Sequence, residues 1–474
     1  TCNHNATGDI DADEPPYACP STGGTLFYVR AYGPSVITGI VADHRNTSYS
    51  VEMQFIDPGE YTLEVVVTFS VPLDFDEFPL NGEDDVEPGY EGYMASGFPL
   101  SILVNPAQES MSSPSAEQDR KPWCTRSQLT ETSPHSALYK GHWQVIDNVA
   151  RSSHQPLTPD ETMVSLDGYR MGLNSVGVRM RYEYEDCELI HIQDLAGGIN
   201  GGMDSCLEKH LGFHIRNQTL EDVDYDDNFE GVHVILVGDS VMRLTNFFFH
   251  KLVRGSSGIK TTFIETNGGI HATIKGVMSS LEKIQQKEKG SNVKRVIQFN
   301  SGLHDIDRLC CSKRTRTLNT TKSCSDAYRE AMEQLVHVID DFPAELKVFR
   351  STTAGWHKHG NYGFSWQAND MQPMSRSTHL AHHFNSIAHD IIQKQSSDIL
   401  IADGYWLTLP RPDHTETSTD NRVGKHLVHP GFEVRSIFAR RWFMLMLWGL
   451  CGDSFEDCMS CMGGGSSEQN SEEY

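Results

Sequence analysis

Residues 232–244 read VHVILVGDSVMRL: an apolar run ends in Gly238-Asp239-Ser240 and passes straight into helical spacing. An almost uninterrupted apolar run of that length suits a strand buried on both faces, as parallel strands of α/β sheets are. A serine at such a junction stands at the carboxyl end of its strand, where open α/β folds place their sites. Its hydroxyl is also close to a helix N-terminus, whose free N–H groups and partial positive charge favour a developing oxyanion. The plainer reading of Ser240 is a helix cap after a turn.

The same texture continues downstream, with short β-branched runs alternating with helical patterns, and this predicts parallel strands joined by crossover helices. The strand candidates are 232–237, 261–265, 294–300, 346–351 and 398–403, and the helix candidates are 241–253, 272–287, 325–340, 378–394 and 433–450. The expected fold of residues 231–450 is therefore an α/β three-layer domain, a parallel sheet with flanking helices.

Three further segments bring candidate chemistry to the ends of those strands. RVIQFNSGLHDI places Asn300, Gly302 and His304 after an apolar strand, where an amide and a backbone N–H can donate to one oxyanion together with the Ser240 N–H. Asn and Gly are equally at home in an ordinary turn. ETNGGIHA offers Gly268 and Gly269 as another backbone donor site. GKHLVHPGFEV carries His426 and His429 before the last helix, and histidine is the side chain suited to take a hydroxyl proton near neutral pH. The chain has 22 His, so the order Ser240, Asn300, late His carries more meaning than the pair itself.

Upstream, TLFYVRAYG, SYSVEMQFI and YTLEVVVTFSV alternate apolar and polar residues at period two, with turns such as DPGEY at 57–61. That pattern predicts an all-β sandwich over 23–106, preceded by a Cys-containing segment at 1–22. A Ser-, Pro- and Glu-rich linker follows at 107–121, then a lead-in at 122–230 without a strong period, and the α/β domain gives way to a polar Cys- and Gly-rich tail at 451–474.

The 474 residues carry a formal charge of −25, which disfavours nucleic acid and anionic membrane surfaces as partners. No apolar run approaches the roughly 20 residues of a transmembrane helix. The chain opens at Thr1 without Met, as a processed secretory protein would. Eleven Cys are expected as short-range disulfides: Cys2 with Cys19, Cys187 with Cys206, Cys310 or Cys311 with Cys324, and Cys451 with Cys458 or Cys461. The odd count leaves one thiol over, with Cys461 or Cys124 the first candidates. A lone CxxC lacks the further ligands zinc requires, so neither metal nor cofactor is expected. Sequons begin at Asn5, Asn46, Asn217 and Asn319, and the location expected from these features is secreted, extracellular or cell-surface, or the lumen of the secretory pathway.

Residues from about 140 to 447 resemble the PC-esterase branch of the SGNH/GDSL hydrolase superfamily. That branch includes neurexophilin-and-PC-esterase proteins, trichome-birefringence-like acetyltransferases and the Cas1p sialate acetyltransferase domain. The resemblance rests on Gly141-His142-Trp143, Cys187, Cys206-Leu207, GDSVMR with Asp239, Ser240 and Arg243, NSGLH from Asn300 to His304, and the late His-Pro-Gly. Residues 33–67 resemble a filamin-type Ig-like repeat, an arrangement most similar to the neurexophilin-and-PC-esterase proteins. The resemblance implies that Ser240 carries an acyl group, Gly268 and Asn300 help form the oxyanion hole, and a late His is the base. It implies an extracellular or cell-surface glycan as substrate, and the filamin-like module implies extracellular protein partners.

The family pattern ends in Asp-x-x-His, and here the sequence departs from it. His426 precedes His429 by three residues and Val423 precedes His426, so neither His has its acid. An acid would come from Asp403, Asp413, Asp420 or Asp305, or the site is a Ser-His dyad; loss of the orienting Asp in a serine protease costs about 10⁴ in rate. Two readings follow: an SGNH-type esterase or O-acetyltransferase, and an inactive SGNH-fold glycoprotein with a glycan-binding, adhesive or structural role.

Overall fold

The computed structural model describes residues 24–70, 93–106, 121–133, 135–149, 162–165, 177–190, 209, 229–253, 256, 258–309, 323–354, 378–411, 430 and 432–463. (Residues 254, 255 and 257 fall outside these spans.) Its first half is antiparallel β structure. The strands are β1 (Thr25–Tyr32), β2 (Ser35–Thr38), β3 (Ile40–Asp43), β4 (Tyr49–Glu52), β5 (Gly59–Ser70), β6 (Tyr93–Met94) and β7 (Leu100–Val104). After the single turn α1 (Arg126–Leu129) come β8 (Gly141–Val149), β9 (Thr162–Ser165) and β10 (Gly177–Tyr184).

Eight of these strands share one sheet in the order β6-β5-β1-β2-β8-β10-β9, with β7 also on β5, while β3 and β4 form a separate hairpin. The join between β2 and β8, through Ser35↔Gln144 and Val36↔Trp143, carries the sheet from the first hundred residues into the 141–184 region. A fully buried Trp143 explains why β8 is ordered there: its indole N–H donates to Leu407 O at 2.8 Å, tying the sheet to the α/β half.

The second half runs β11 (Gly231–Gly238), α2 (Ser240–Leu252), β12 (Ile259–Glu265), α3 (Ile270–Lys287), β13 (Val293–Phe299), α4 (Leu303–Leu309), α5 (Cys324–Asp341), β14 (Leu346–Arg350), α6 (Thr378–Gln395) and β15 (Ile399–Ala402). It ends with α7 (Tyr405–Thr408), α8 (Phe432–Cys451) and α9 (Phe455–Gly463). Its five strands are all parallel, in the order β12-β11-β13-β14-β15. Every residue of β11 is buried, as its apolar run requires.

Alternation along β11 divides the core between the two faces of the sheet. Val232, Val234 and Leu236 join the cluster that holds Phe249 of α2 and Phe438, Trp442 and Leu445 of α8. Ile235 and Val237 join the cluster that holds Ile274 of α3, Leu335 of α5 and Ile387 of α6. The result is an α/β three-layer domain behind an antiparallel β region. Among the described residues, no helix is long and apolar enough to cross a membrane.

Two cysteine expectations are corrected. Cys187 bonds Cys124, not Cys206, so Cys124 is not the spare thiol. Backbone pairing explains the choice: Cys124 N donates to Glu188 O at 3.1 Å and Glu188 N to Pro122 O at 3.0 Å, which sets the two Cα atoms 4.8 Å apart. Cys451 bonds Cys458, one of its two expected partners. Cys324 is also disulfide-bonded, while Cys2, Cys19, Cys206, Cys310 and Cys311 lie outside the described residues.

The stretch expected as a Cys- and Gly-rich polar tail, 451–474, contains a helix in its described part. Residues 455–463 form α9, which buries Phe455, Cys458 and Met459 and stacks Phe455 on Trp448 with ring centroids 3.8 Å apart.

Candidate active site

The site assembles at the carboxyl ends of β12, β11 and β13. Thr266 N donates to Gly238 O at 2.8 Å and Asn300 N to Val237 O at 3.0 Å, so the segments after β12 and β13 close on the turn that bears Ser240. Ser240 is half-buried and is the first residue of α2. The cap is Asp239, whose carboxylate accepts from Val241 N at 2.9 Å. The capping task is therefore Asp239's.

Asn300 is 1% exposed, and its Oδ1 has no hydrogen-bond partner among the described residues. A Cβ on Gly238 would lie 3.1 Å from that oxygen and 2.6 Å from Met242 Cβ, so the amide rests against the backbone just ahead of Ser240 and only glycine fits there. A buried acceptor that the described residues leave unpaired is available to a donor from a ligand. On the other flank Gly268 and Gly269 have φ of +108° and +90°, a backbone open to glycine alone, and Gly269 is the N-cap of α3, its N–H donating to Thr266 O at 3.0 Å. Ser240, Gly268 and Asn300 thus follow three adjacent parallel strands, β11, β12 and β13.

Two of the candidate acids have other work. Asp403, 2% exposed, accepts from Trp406 N and Leu407 N at 2.8 Å each and lies 3.8 Å from Arg441 Nη1. Burial pushes its carboxyl up, against the pull of Arg441 and those backbone N–H groups. Asp305, 1% exposed, accepts from Ile270 N at 2.7 Å and pairs with His271 Nδ1 at 3.2 Å. Asp413, Asp420, His426 and His429 lie outside the described residues; Pro430, which follows His429, is described and buried.

Arg243 lies on the solvent side of α2, 56% exposed, with Nη1 3.3 Å from Glu265 Oε1. His304 is half-buried on the first turn of α4. Of the sequons, Asn46 is exposed at the β3–β4 turn, where its Oδ1 accepts from Ser48 N at 3.1 Å, and Asn5, Asn217 and Asn319 lie outside the described residues. No group of three or more His, Cys, Asp or Glu among the described residues is placed to hold a metal ion.

The sequence reading missed Arg350. It is 1% exposed at the end of β14, its Nη1 donates to Thr245 Oγ1 at 2.8 Å, and its guanidinium lies 4.6 Å from the Phe438 ring. Burial pushes its pKa down to about 10, opposed by the charge of Asp239. Thr245 Oγ1 in turn donates to Val241 O at 3.0 Å, so Arg350 braces the first turn of the helix that Ser240 begins. An arginine closing the otherwise apolar LKVFR strand was the available signal, since a buried charge needs a partner.

A scan of the sequence against protein-family models finds no match, and a search of curated proteins finds none. Among solved structures, one that this chain is similar to is the C-terminal catalytic domain of Streptococcus pneumoniae peptidoglycan O-acetyltransferase A (OatA) with a methylsulfonyl adduct. The similarity has a TM-score of 0.29 and 14% identity, covering 47% of this chain and 96% of that one.

Proposed function

We propose that residues 231–450 form an SGNH-type domain of the PC-esterase kind that transfers or hydrolyses O-acetyl groups of an extracellular or cell-surface glycan, with Ser240 as nucleophile. The observation that carries this reading is the position of Ser240, Gly268 and Asn300 after three adjacent parallel strands, with Asp239 as the cap of α2 and Asn300 buried against Gly238. In this mechanism Ser240 Oγ attacks the acetyl carbon while a late His, His429 or His426, takes its proton. Negative charge on the former carbonyl oxygen is met by the backbone N–H groups of Ser240 and Gly268 and by the side-chain amide N–H of Asn300. Collapse expels the sugar alcohol, which takes the proton back, and water or a second hydroxyl then accepts the acetyl group. The disulfides suit an oxidising compartment, and the antiparallel region would serve as the filamin-like interaction module.

The second reading, an inactive SGNH-fold binding or structural protein, draws on Asp305 and Asp403: both are taken up by helix N-termini and by His271 or Arg441, which leaves neither free to orient a late His. One experiment separates the two. Wild-type protein should release acetate from 4-nitrophenyl acetate and take up a fluorophosphonate on Ser240, and Ser240→Ala should reduce both to background. A folded wild type that neither turns over nor labels would leave the binding reading.

A further inference from the structure

Beside the Ser240 turn stands an imidazole–carboxylate pair that the mechanism above does not use. His271 occupies the first turn of α3, two residues past Gly269, and its Nδ1 lies 3.2 Å from Oδ1 of Asp305. The same oxygen accepts from Ile270 N at 2.7 Å, and Asp305 is buried with its side chain 2% exposed. Asp305 follows β13 and His271 follows β12, with β11 and its Ser240 turn between them, so the pair bridges the end of the nucleophile strand. A Cβ on Gly269 would lie 2.6 Å from Asp305 Oδ1, so the close approach of the carboxylate depends on that glycine.

A buried carboxylate on Nδ1 fixes the plane and tautomer of the ring and leaves Nε2 as its working atom, the logic by which oriented histidines serve in other sites. The His271 side chain is 17% exposed, and its Nε2 is not among the buried atoms that lack a partner, so this edge of the ring opens toward solvent. Polar groups stand on the same strand ends and the helices that follow them: Arg243 with Glu265, Asn267 bonded to Glu265, and half-buried His304. Such groups suit an alcohol that carries further hydroxyls.

We propose that His271, held by Asp305, determines specificity for the alcohol side of the ester by hydrogen-bonding through Nε2 to a free hydroxyl next to the acetylated one. The proposal rests on the Ser240 reading. A polyhydroxylated alcohol would gain this contact, and a simple alkyl alcohol would have nothing to place there.

The test compares kcat/KM for 6-O-acetylglucose and for ethyl acetate in the full chain, with Ser240→Ala fixing the background. His271→Ala should lower the ratio of sugar ester to ethyl ester about tenfold, mostly through KM, as loss of one such hydrogen bond implies. His271→Gln, which keeps a polar atom near Nε2, should restore most of the ratio, and Asp305→Asn should fall between the two. An unchanged ratio in His271→Ala overturns the proposal, and so does an equal fall on both esters, the mark of a structural role. Absence of any Ser240-dependent turnover by wild type overturns the Ser240 reading and this proposal with it, an outcome distinct from a Ser240-dependent enzyme whose ratio ignores His271.

Discussion

Single residues carry the charge balance beneath the Ser240 turn. Arg350 and Asp239 are 1% and 2% exposed, and the guanidinium reaches the helix through Thr245. The charge of Asp239 favours the Arg350 cation, so removing one of these buried charges leaves the other less compensated. Arg350→Met keeps the length and apolar stem but withdraws the charge and the Thr245 contact. Its expected effect is a lower denaturation midpoint and fluorophosphonate labelling of Ser240 slowed about tenfold, because a turn held less firmly presents the hydroxyl less often. Labelling at the wild-type rate in a folded Arg350→Met protein would show that Arg350 supports only the core. Nothing in residues 238–245 announces this contact: Arg350 and Thr245 are 105 positions apart, and only tertiary packing brings them together.

Helix α8 shows what was legible at the scale of elements. From Trp442 to Leu450 its sequence is apolar on all sides, as in a helix enclosed by protein, and Trp442, Phe443 and Leu445 are fully buried. Its cations are buried too, and they clamp backbone carbonyls: Arg440 reaches Leu189 O at 3.0 Å and also Ile190 O, while Arg441 reaches Asp403 O at 2.7 Å and Leu129 O at 3.1 Å. Arg441→Leu would strand the buried Asp403 carboxylate, for an expected loss of about 3–5 kcal/mol in chemical denaturation. A loss below about 1 kcal/mol would mean that Asp403 is satisfied by its helix N–H groups alone. The five parallel strands were readable to within a few residues: β11 because a strand buried on both faces is apolar along most of its length, and β12 and β13, which carry polar residues, as short β-branched runs between helical patterns. The short α4 and α7 were not, since a turn or two of helix has no period to detect, and neither was the pairing of Cys124 with Cys187, 63 residues apart.

Across the whole molecule, the antiparallel sheet and the α/β domain share both cores and are bridged by side chains from each. Tyr28 OH donates to Leu409 O at 3.1 Å, and Thr68 Oγ1 meets His379 Nε2 at 2.9 Å. This seam gathers histidines from α6 and from the segment between α1 and β8: His135 stacks on His382 with centroids 5.4 Å apart, and His389 Nε2 lies 3.7 Å from Glu131. Burial, with neighbouring histidines adding to it, pushes His382 down to about 3 and His389 down to about 4. An unfolded histidine takes up its proton near pH 6.5. The stability these two sites contribute is therefore complete above about pH 6.5, and it is lost as pH falls toward 4, where the unfolded chain binds protons that the folded protein refuses. Burial also holds the Glu131 carboxyl well above its usual range, and its contribution has the opposite sign, lost as pH rises. A His382→Asn/His389→Asn double variant retains Glu131 and every carboxylate elsewhere, so subtraction isolates the two histidines. Between pH 7.5 and 5 the wild type should lose more stability than the variant in urea titrations. Equal losses in the two proteins would mean that these rings accept protons in the folded seam without opening it.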